Sequence, residues 1–208
     1  MADMYLDVFD RNPYGTNCWL LAAEGSDEAI VVDPGFEPAE IHRMLAAAEK
    51  SPVAVLLTHA HLDHAAAAGS FAGDALPVLI HPADAVAFED EEMWNAGFPN
   101  PLEPVKDLRT FEDGEVLRLA GFEVAVKHTP GHTPGHCVFV TDALVASGDL
   151  VLAGSIGRSD FANSDPEAMQ RSLGRFLELD DSLRTLPGHG PPTTVGRERQ
   201  TNPFLVGR

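Results

Sequence analysis

Directly after the apolar run Val53–Leu57 the chain reads Thr58-His59-Ala60-His61-Leu62-Asp63-His64. A continuous apolar run predicts a strand buried on both faces. Four ionisable side chains at the end of such a strand are costly unless something satisfies them. Residues two apart in an extended segment point the same way, so His59 and His61 converge as the strand ends. Asp63 and His64 open a predicted helix, Leu62–Ala72, from which they can face a second, neighbouring position. One such histidine fits a hydrogen-bonded core residue; the whole group points to metal ions.

Three later segments repeat the pattern of a ligand type beside glycine. His128-Thr129-Pro130-Gly131-His132-Thr133-Pro134-Gly135-His136 holds His132 in a loop stiffened by prolines and opened by glycines. Ser147-Gly148-Asp149 sets a carboxylate just after the apolar run Ala143–Ala146, and Pro187-Gly188-His189-Gly190 follows the predicted strand Ser182–Leu186. Glycine permits the dihedrals and close backbone approach that a buried polar site demands. Singly, Asp149 reads as a helix cap and His189 as a turn residue; together they complete the ligands of two ions. Among the remaining histidines, His42 on the predicted helix Glu37–Lys50 is expected in solvent. His81, His128 and His136 are expected to support the site through hydrogen bonds.

The scaffold reads as short strands at Met4–Phe9, Asn17–Ala23 and Ala29–Asp33, then a helix with Ile41, Met44, Leu45 and Ala48 at helical spacing. Pro77–His81 is a predicted strand and Pro82–Glu89 a short helix. A second strand series follows at Glu115–Ala120, Phe122–His128, Cys137–Thr141 and Ala143–Ala146, with a helix at Pro166–Leu179 capped by Asp165. This α/β order predicts two sheets packed between helices, in one domain over residues 1–208. The acidic, proline-rich stretch Asp90–Asp107, with Trp94 and Phe98, reads either as a connecting loop or as a rim over the site.

Charge narrows the partners. With 14 basic and 32 acidic residues the formal net charge is -18, which repels phosphate backbones and anionic membrane surfaces. Neither nucleic acid nor membrane is an expected partner, and no apolar run reaches the ~18 residues of a membrane span. Cys18 and Cys137 lie far apart and form no CxxC pair, so they are expected as buried, reduced thiols of a cytoplasmic protein.

The ligand types and their order resemble the metallo-β-lactamase superfamily, with its His-x-His-x-Asp-His signature, later histidine, bridging aspartate and final histidine. The resemblance implies an αββα sandwich of two mixed β-sheets flanked by helices. It implies His59, His61 and His132 on one metal, Asp63, His64 and His189 on a second, and Asp149 bridging both. Zinc suits these ligands first, with iron or manganese compatible. Asp63 and His64 together set the chain apart from the usual antibiotic-degrading lactamases. Ile156-Gly157-Arg158-Ser159-Asp160-Phe161 and the ending Arg197-Glu198-Arg199-Gln200-Thr201-Asn202-Pro203-Phe204 resemble the small glyoxalase II-like hydrolases. These are similar to hydroxyacylglutathione hydrolase without its C-terminal helical domain.

That resemblance implies metal-dependent hydrolysis of a small-molecule thioester, such as the 2-hydroxyacyl thioester S-lactoylglutathione, with Asp63 orienting the attacking water. A thiolate of pKa near ~8.5 leaves with little protonation, whereas an amide nitrogen needs a proton donor. Arg158 reads equally as a partner of Asp160 and as a grip on a substrate carboxylate. Three other activities share the pattern. A persulfide dioxygenase would keep one iron on His59, His132 and Asp149; a lactonase would use the same carbonyl chemistry. A zinc-stabilised binding domain would need no turnover, but structural zinc favours four-coordinate, cysteine-rich sites.

Overall fold

The computed structural model describes residues 4–73, 75–89 and 102–207. Strands β1 (Tyr5–Phe9), β2 (Cys18–Ala22) and β3 (Glu28–Val32) form an antiparallel meander. Helix α1 (Pro38–Ala47) returns the chain so that β4 (Ser51–Leu56) lies parallel to β3. Helices α2 (Leu62–Ala65) and α3 (Ala68–Ala72) then lead to β5 (Val78–Ile80), also parallel. After α4 (Pro82–Ala85), β6 (Leu108–Thr110) adds one more parallel edge.

The second sheet begins with β7 (Val116–Leu119), β8 (Phe122–His128), β9 (Cys137–Val140) and β10 (Leu144–Gly148), all antiparallel. Helix α5 (Pro166–Leu177) crosses to the parallel strand β11 (Arg184–Pro187). β12 (Thr193–Thr194) and α6 (Val195–Thr201) follow. The sheet orders are β1-β2-β3-β4-β5-β6 and β12-β11-β10-β9-β8-β7.

Strand alternation sorts the core into three zones. Trp19 and Leu21 of β2 meet Leu56, Val126, Phe139 and Leu186 between the sheets. Cys18, Leu20 and Ala22 of the same strand pack with Ile41 and Leu45 of α1 and Phe71 of α3. On the far side, Met169, Leu173 and Phe176 of α5 cover Val138 and Val145. The expected αββα sandwich is thus formed, and β4 is buried on both faces along Ala54–Leu56. Asp165 caps α5 as expected, accepting from Glu167 N–H at 2.9 Å and Ala168 N–H at 3.0 Å.

Four differences from the sequence reading have physical causes. The helix expected over Leu62–Ala72 is two short ones, because residue 103 crosses it: the Glu103 N–H reaches the Ala66 carbonyl at 3.4 Å. The Glu103 carboxylate accepts from Ser70 N–H at 2.8 Å, opening α3 afresh. A side chain at Gly69 would come within 2.4 Å of the Pro104 carbonyl, so only glycine lets this crossing approach. β6 escaped notice because it is a short, partly exposed edge strand beside an acidic stretch. α6 is mostly polar, and it is fixed by Thr194 Oγ1 accepting from Arg197 N–H at 3.1 Å. His42 is exposed as expected, yet its ring stacks on Phe71 at 4.2 Å and its Nε2 lies 3.0 Å from the Phe71 carbonyl. Trp94 and Phe98, with the rest of 90–101, lie outside the described residues. Both cysteines are free and buried, and no helix among the described residues is long and apolar enough to cross a membrane.

Candidate metal centre

The parallel pairing of β3 with β4 sets Val32 beside Leu56, which carries Asp33 alongside Thr58. Asp33 takes a positive φ of 55°, a conformation that aspartate tolerates better than most residues. Its carboxylate accepts from Thr58 N–H at 2.7 Å, from Thr58 Oγ1–H at 2.6 Å and from His64 Nδ1 at 3.0 Å. The Thr58 hydroxyl, having given its proton to Asp33, is left to accept from His59 Nδ1 at 3.0 Å. His132 Nδ1 lies 2.6 Å from the Arg158 carbonyl, which can only accept. These partners assign the proton of His59, His64 and His132 to Nδ1, leaving each Nε2 with a lone pair.

Those lone pairs converge. His59, His61 and His132 bring one donor atom each within 4.8 Å of one another, and so do Asp63, His64 and His189. His61 Nδ1 lies 2.8 Å from His132 Nε2. Asp63 Oδ2 accepts from Thr16 Oγ1 at 3.0 Å and lies 3.2 Å from His189 Nε2 and 3.5 Å from His64 Nε2. Asp149 spans both groups: Oδ2 is 3.5 Å from His132 Nε2 and 3.7 Å from His189 Nε2, while Oδ1 is 3.6 Å from His64 Nε2. All seven residues read from the sequence therefore meet. A Cβ at Gly188 would fall 2.4 Å from Asp149 Oδ1 and 2.6 Å from the His64 ring, which is why the histidine is preceded by glycine.

Among the described residues four buried side-chain atoms lack a hydrogen-bond partner: Thr185 Oγ1, which belongs to neither group, and three within the groups, His59 Nε2, His64 Nε2 and Asp149 Oδ1. Native interiors leave few such atoms, each costing on the order of 1–3 kcal/mol, so their convergence fits a cation. The electrostatics agree. Burial and the neighbouring His132 and His64 lower His61 to about 3. Burial, then His64, holds His59 well below the usual imidazole range. Burial also lowers His64, yet Asp63, Asp149 and Asp33 outweigh it and raise the group to about 10. Three carboxylates thus demand positive charge at His64, which a divalent ion supplies as well as a proton does. Burial raises Asp63, but His64, His189 and Thr16 bring it net below the usual carboxylate range.

The supporting residues include some the sequence reading did not single out. Asp33 is one, and Thr16 another. Asp84 is a third: fully buried, it accepts from Ala60 N–H at 3.0 Å, Thr133 Oγ1–H at 2.7 Å and Gly135 N–H at 2.5 Å, tying the His59–His64 segment to the His132 loop. His136, buried, accepts from Asp149 N–H at Nε2, 3.1 Å, and meets Thr129 Oγ1 through Nδ1 at 3.0 Å. His81 and His128 stack at 4.0 Å, and His128 Nε2 lies 2.8 Å from the Pro134 carbonyl. Arg158 pairs with Asp160 at 2.9 Å with its side chain 67% exposed, and its guanidinium lies 4.4 Å from the centre of the Phe161 ring. Phe161 in turn stands edge-on to His61 at 5.2 Å, beside the first group of ligands.

Comparison with known proteins agrees with this geometry. The family model described as the metallo-beta-lactamase superfamily matches residues 11–189. Hydroxyacylglutathione hydrolase GloC of Haemophilus influenzae is 33% identical over 210 residues, covering 97% of this chain and 98% of that protein. The crystal structure of BLEG-1 B3 metallo-beta-lactamase superposes with a TM-score of 0.88 at 32% identity, covering 98% of this chain and 100% of that one. TTHA1623, in a di-iron-bound form, gives a TM-score of 0.83 at 37% identity, covering 96% and 100%.

Proposed function

The chain belongs to the metallo-β-lactamase superfamily, and from that membership we propose that it is a two-metal thioester hydrolase, with a 2-hydroxyacyl thioester such as S-lactoylglutathione as representative substrate. The observation that carries this reading is the trio of buried, unpartnered atoms, His59 Nε2, His64 Nε2 and Asp149 Oδ1. His59, His61 and His132 would hold one ion, Asp63, His64 and His189 the other, with Asp149 between them. Two divalent ions held there would lower the pKa of a bound water to supply hydroxide at neutral pH and would polarise a carbonyl oxygen.

The chain's own groups do the rest. Asp63, held ionised by Thr16, His64 and His189, orients the attacking water and accepts its proton. The imidazole N–H groups of His59, His64 and His132 are engaged by Thr58, Asp33 and the Arg158 carbonyl, so none of these three protonates a leaving nitrogen. A thiolate needs no such donor, which favours thioesters over lactams and peptides. The GloC relative supports the substrate class.

Zinc is the first choice of metal, and the di-iron form of TTHA1623 supports iron as the alternative. A single iron on His59, His132 and Asp149 would leave Asp63 and His189, 3.2 Å apart, without employment; the dioxygenase reading is weaker for that reason. Two buried free thiols suit a cytoplasmic setting. The test is metal analysis of the purified protein beside two assays. Hydrolysis of S-lactoylglutathione should vanish with chelator and return with zinc. Oxygen uptake with glutathione persulfide in place of hydrolysis, or tight metal binding without turnover, would overturn the reading.

A further inference from the structure

The ending 197–204 supplies no ligand to either group, yet it buries two polar side chains, Glu198 in α6 and Asn202 just past it. Glu198 Oε1 accepts from Thr193 Oγ1–H at 2.6 Å, and Oε2 accepts from Gly154 N–H at 2.8 Å and from the Asn202 amide at 2.9 Å. The Asn202 amide also donates to the Ser155 carbonyl at 2.8 Å. Among the described residues no lysine or arginine pairs with this carboxylate; the neighbouring Arg199 goes to Asp181 at 2.7 Å. Helix α6 has anchors of its own, in the Thr194 cap and in Val195 and Leu205 of the third core zone. A carboxylate buried without a cation is costly, and its partners show what it is for.

They belong to one turn, closed by Leu152 and Ser155, whose backbones exchange hydrogen bonds at 3.0 and 3.2 Å, with Gly154 at a φ of 74°. Ala153 and Gly154 at its tip are exposed, so Glu198 and Asn202 are its tether. The turn leads straight into two braces of the metal centre. Gly157 N–H donates to the Asp149 carbonyl at 2.9 Å, and the Arg158 carbonyl takes the His132 Nδ1 proton at 2.6 Å. A Cβ at Gly157 would run into the Asp149 carbonyl, so the two backbones pass as closely as glycine allows. Any shift of the turn therefore passes, within three residues, to the backbone of one ligand and the ring of another.

Resting on the two-metal reading, we infer that Glu198 and Asn202 are positioning residues for the metal centre: from α6 they fix the turn whose following residues set His132 and Asp149. The test reads affinity for zinc, or for iron should the protein keep that instead, by chelator competition with no substrate present. Glu198→Ala should weaken binding at least about fivefold. Glu198→Gln should restore it to within about twofold, since its Oε1 can face Gly154 and Asn202 while its amide donates to the Thr193 hydroxyl. Thr193→Val removes the other bond of the same carboxylate; it should lower Tm yet leave metal affinity within about twofold. Gly154→Pro covers a Glu198→Ala chain that does not fold. At an exposed tip it deletes the N–H that Glu198 accepts and cannot adopt the positive φ, and it should match the fivefold loss. Unchanged affinity in Glu198→Ala or Gly154→Pro, no recovery in Glu198→Gln, or an equal loss in Thr193→Val makes the pair a brace for the fold alone. Each of those results overturns the inference and leaves the metal centre standing. An unaltered protein that takes up neither zinc nor iron overturns the two-metal reading, and the inference falls with it.

Discussion

The two proposed groups of ligands differ in kind although Asp149 lies beside both. His59, His61 and His132 form an all-imidazole group in which His59 and His132 give their outer protons to a hydroxyl and a backbone carbonyl. Asp63, His64 and His189 include a carboxylate, lean on the Asp33 carboxylate, and leave the His189 side chain 28% exposed. The first group is neutral and half-buried only at His61, and the second is charged and half-buried at both Asp63 and His189. That difference teaches which position should exchange its ion with solvent and which should keep it.

Asp149→Ala tests what the groups have in common, and it carries the largest effect. Removing the one side chain within 3.7 Å of His132, His64 and His189 should lower kcat/KM by about a thousandfold or more. Metal analysis should show losses at both positions. A variant that keeps two ions and most activity would break the view that this residue joins them.

Removing one ligand from each group sharpens the contrast. His189→Ala should leave about one ion per chain and cut activity about a hundredfold, since Asp63, His64 and the shared Asp149 hold the second ion much more weakly without it. In the unaltered protein, graded chelation should remove metal in two phases, the faster one matching the loss in His189→Ala. A single phase would show that exposure at His189 does not set the order of release.

How far this contrast was legible in the linear sequence depends on which interactions are local. All four ligand segments announced themselves, because each sits at the end of an apolar run beside glycine or within six residues. Asp33 and Asp84 did not. Asp33 read as the last residue of the strand Ala29–Asp33, before Pro34-Gly35; it meets Thr58 and His64 only because β3 and β4 run parallel in one register. Asp84 sat inside a short predicted helix, and its three donors come from segments 24 to 51 residues away. The break between α2 and α3 likewise depends on Glu103, remote in sequence. What local patterns carried was the chemistry; what pairing across the sheet carried was the bracing.

Asp33→Asn tests that bracing where it touches both groups. One amide hydrogen face would replace an oxygen that accepts either Thr58 N–H or the Thr58 hydroxyl and His64, setting donor against donor. Asparagine tolerates the positive φ of 55°, so backbone strain does not confuse the outcome. Affinity for metal should fall by roughly 10–100-fold, and more steeply at the second position, where the charge of Asp33 is lost as well as its geometry. Equal loss at both positions would reduce Asp33 to a structural brace.

The smallest effect concerns acid. The His132 loop rests on stacked His81 and His128, with Asp113 and Arg175 alongside. Burial, then His128, lowers His81 to about 4, with Asp113 opposing. The unfolded value is about 6.5, so the folded state favours neutral His81. Its contribution to stability is full above pH 6.5 and is lost as pH falls through 4. Asparagine can replace the Nδ1 acceptor that caps Ala83 N–H without titrating. Measured without metal, His81→Asn should match the unaltered protein at pH 7 and lose about 2–4 °C less in Tm at pH 4.5. If both lose equally, the acid sensitivity of the first group lies in its ligands and not in the loop that carries His132.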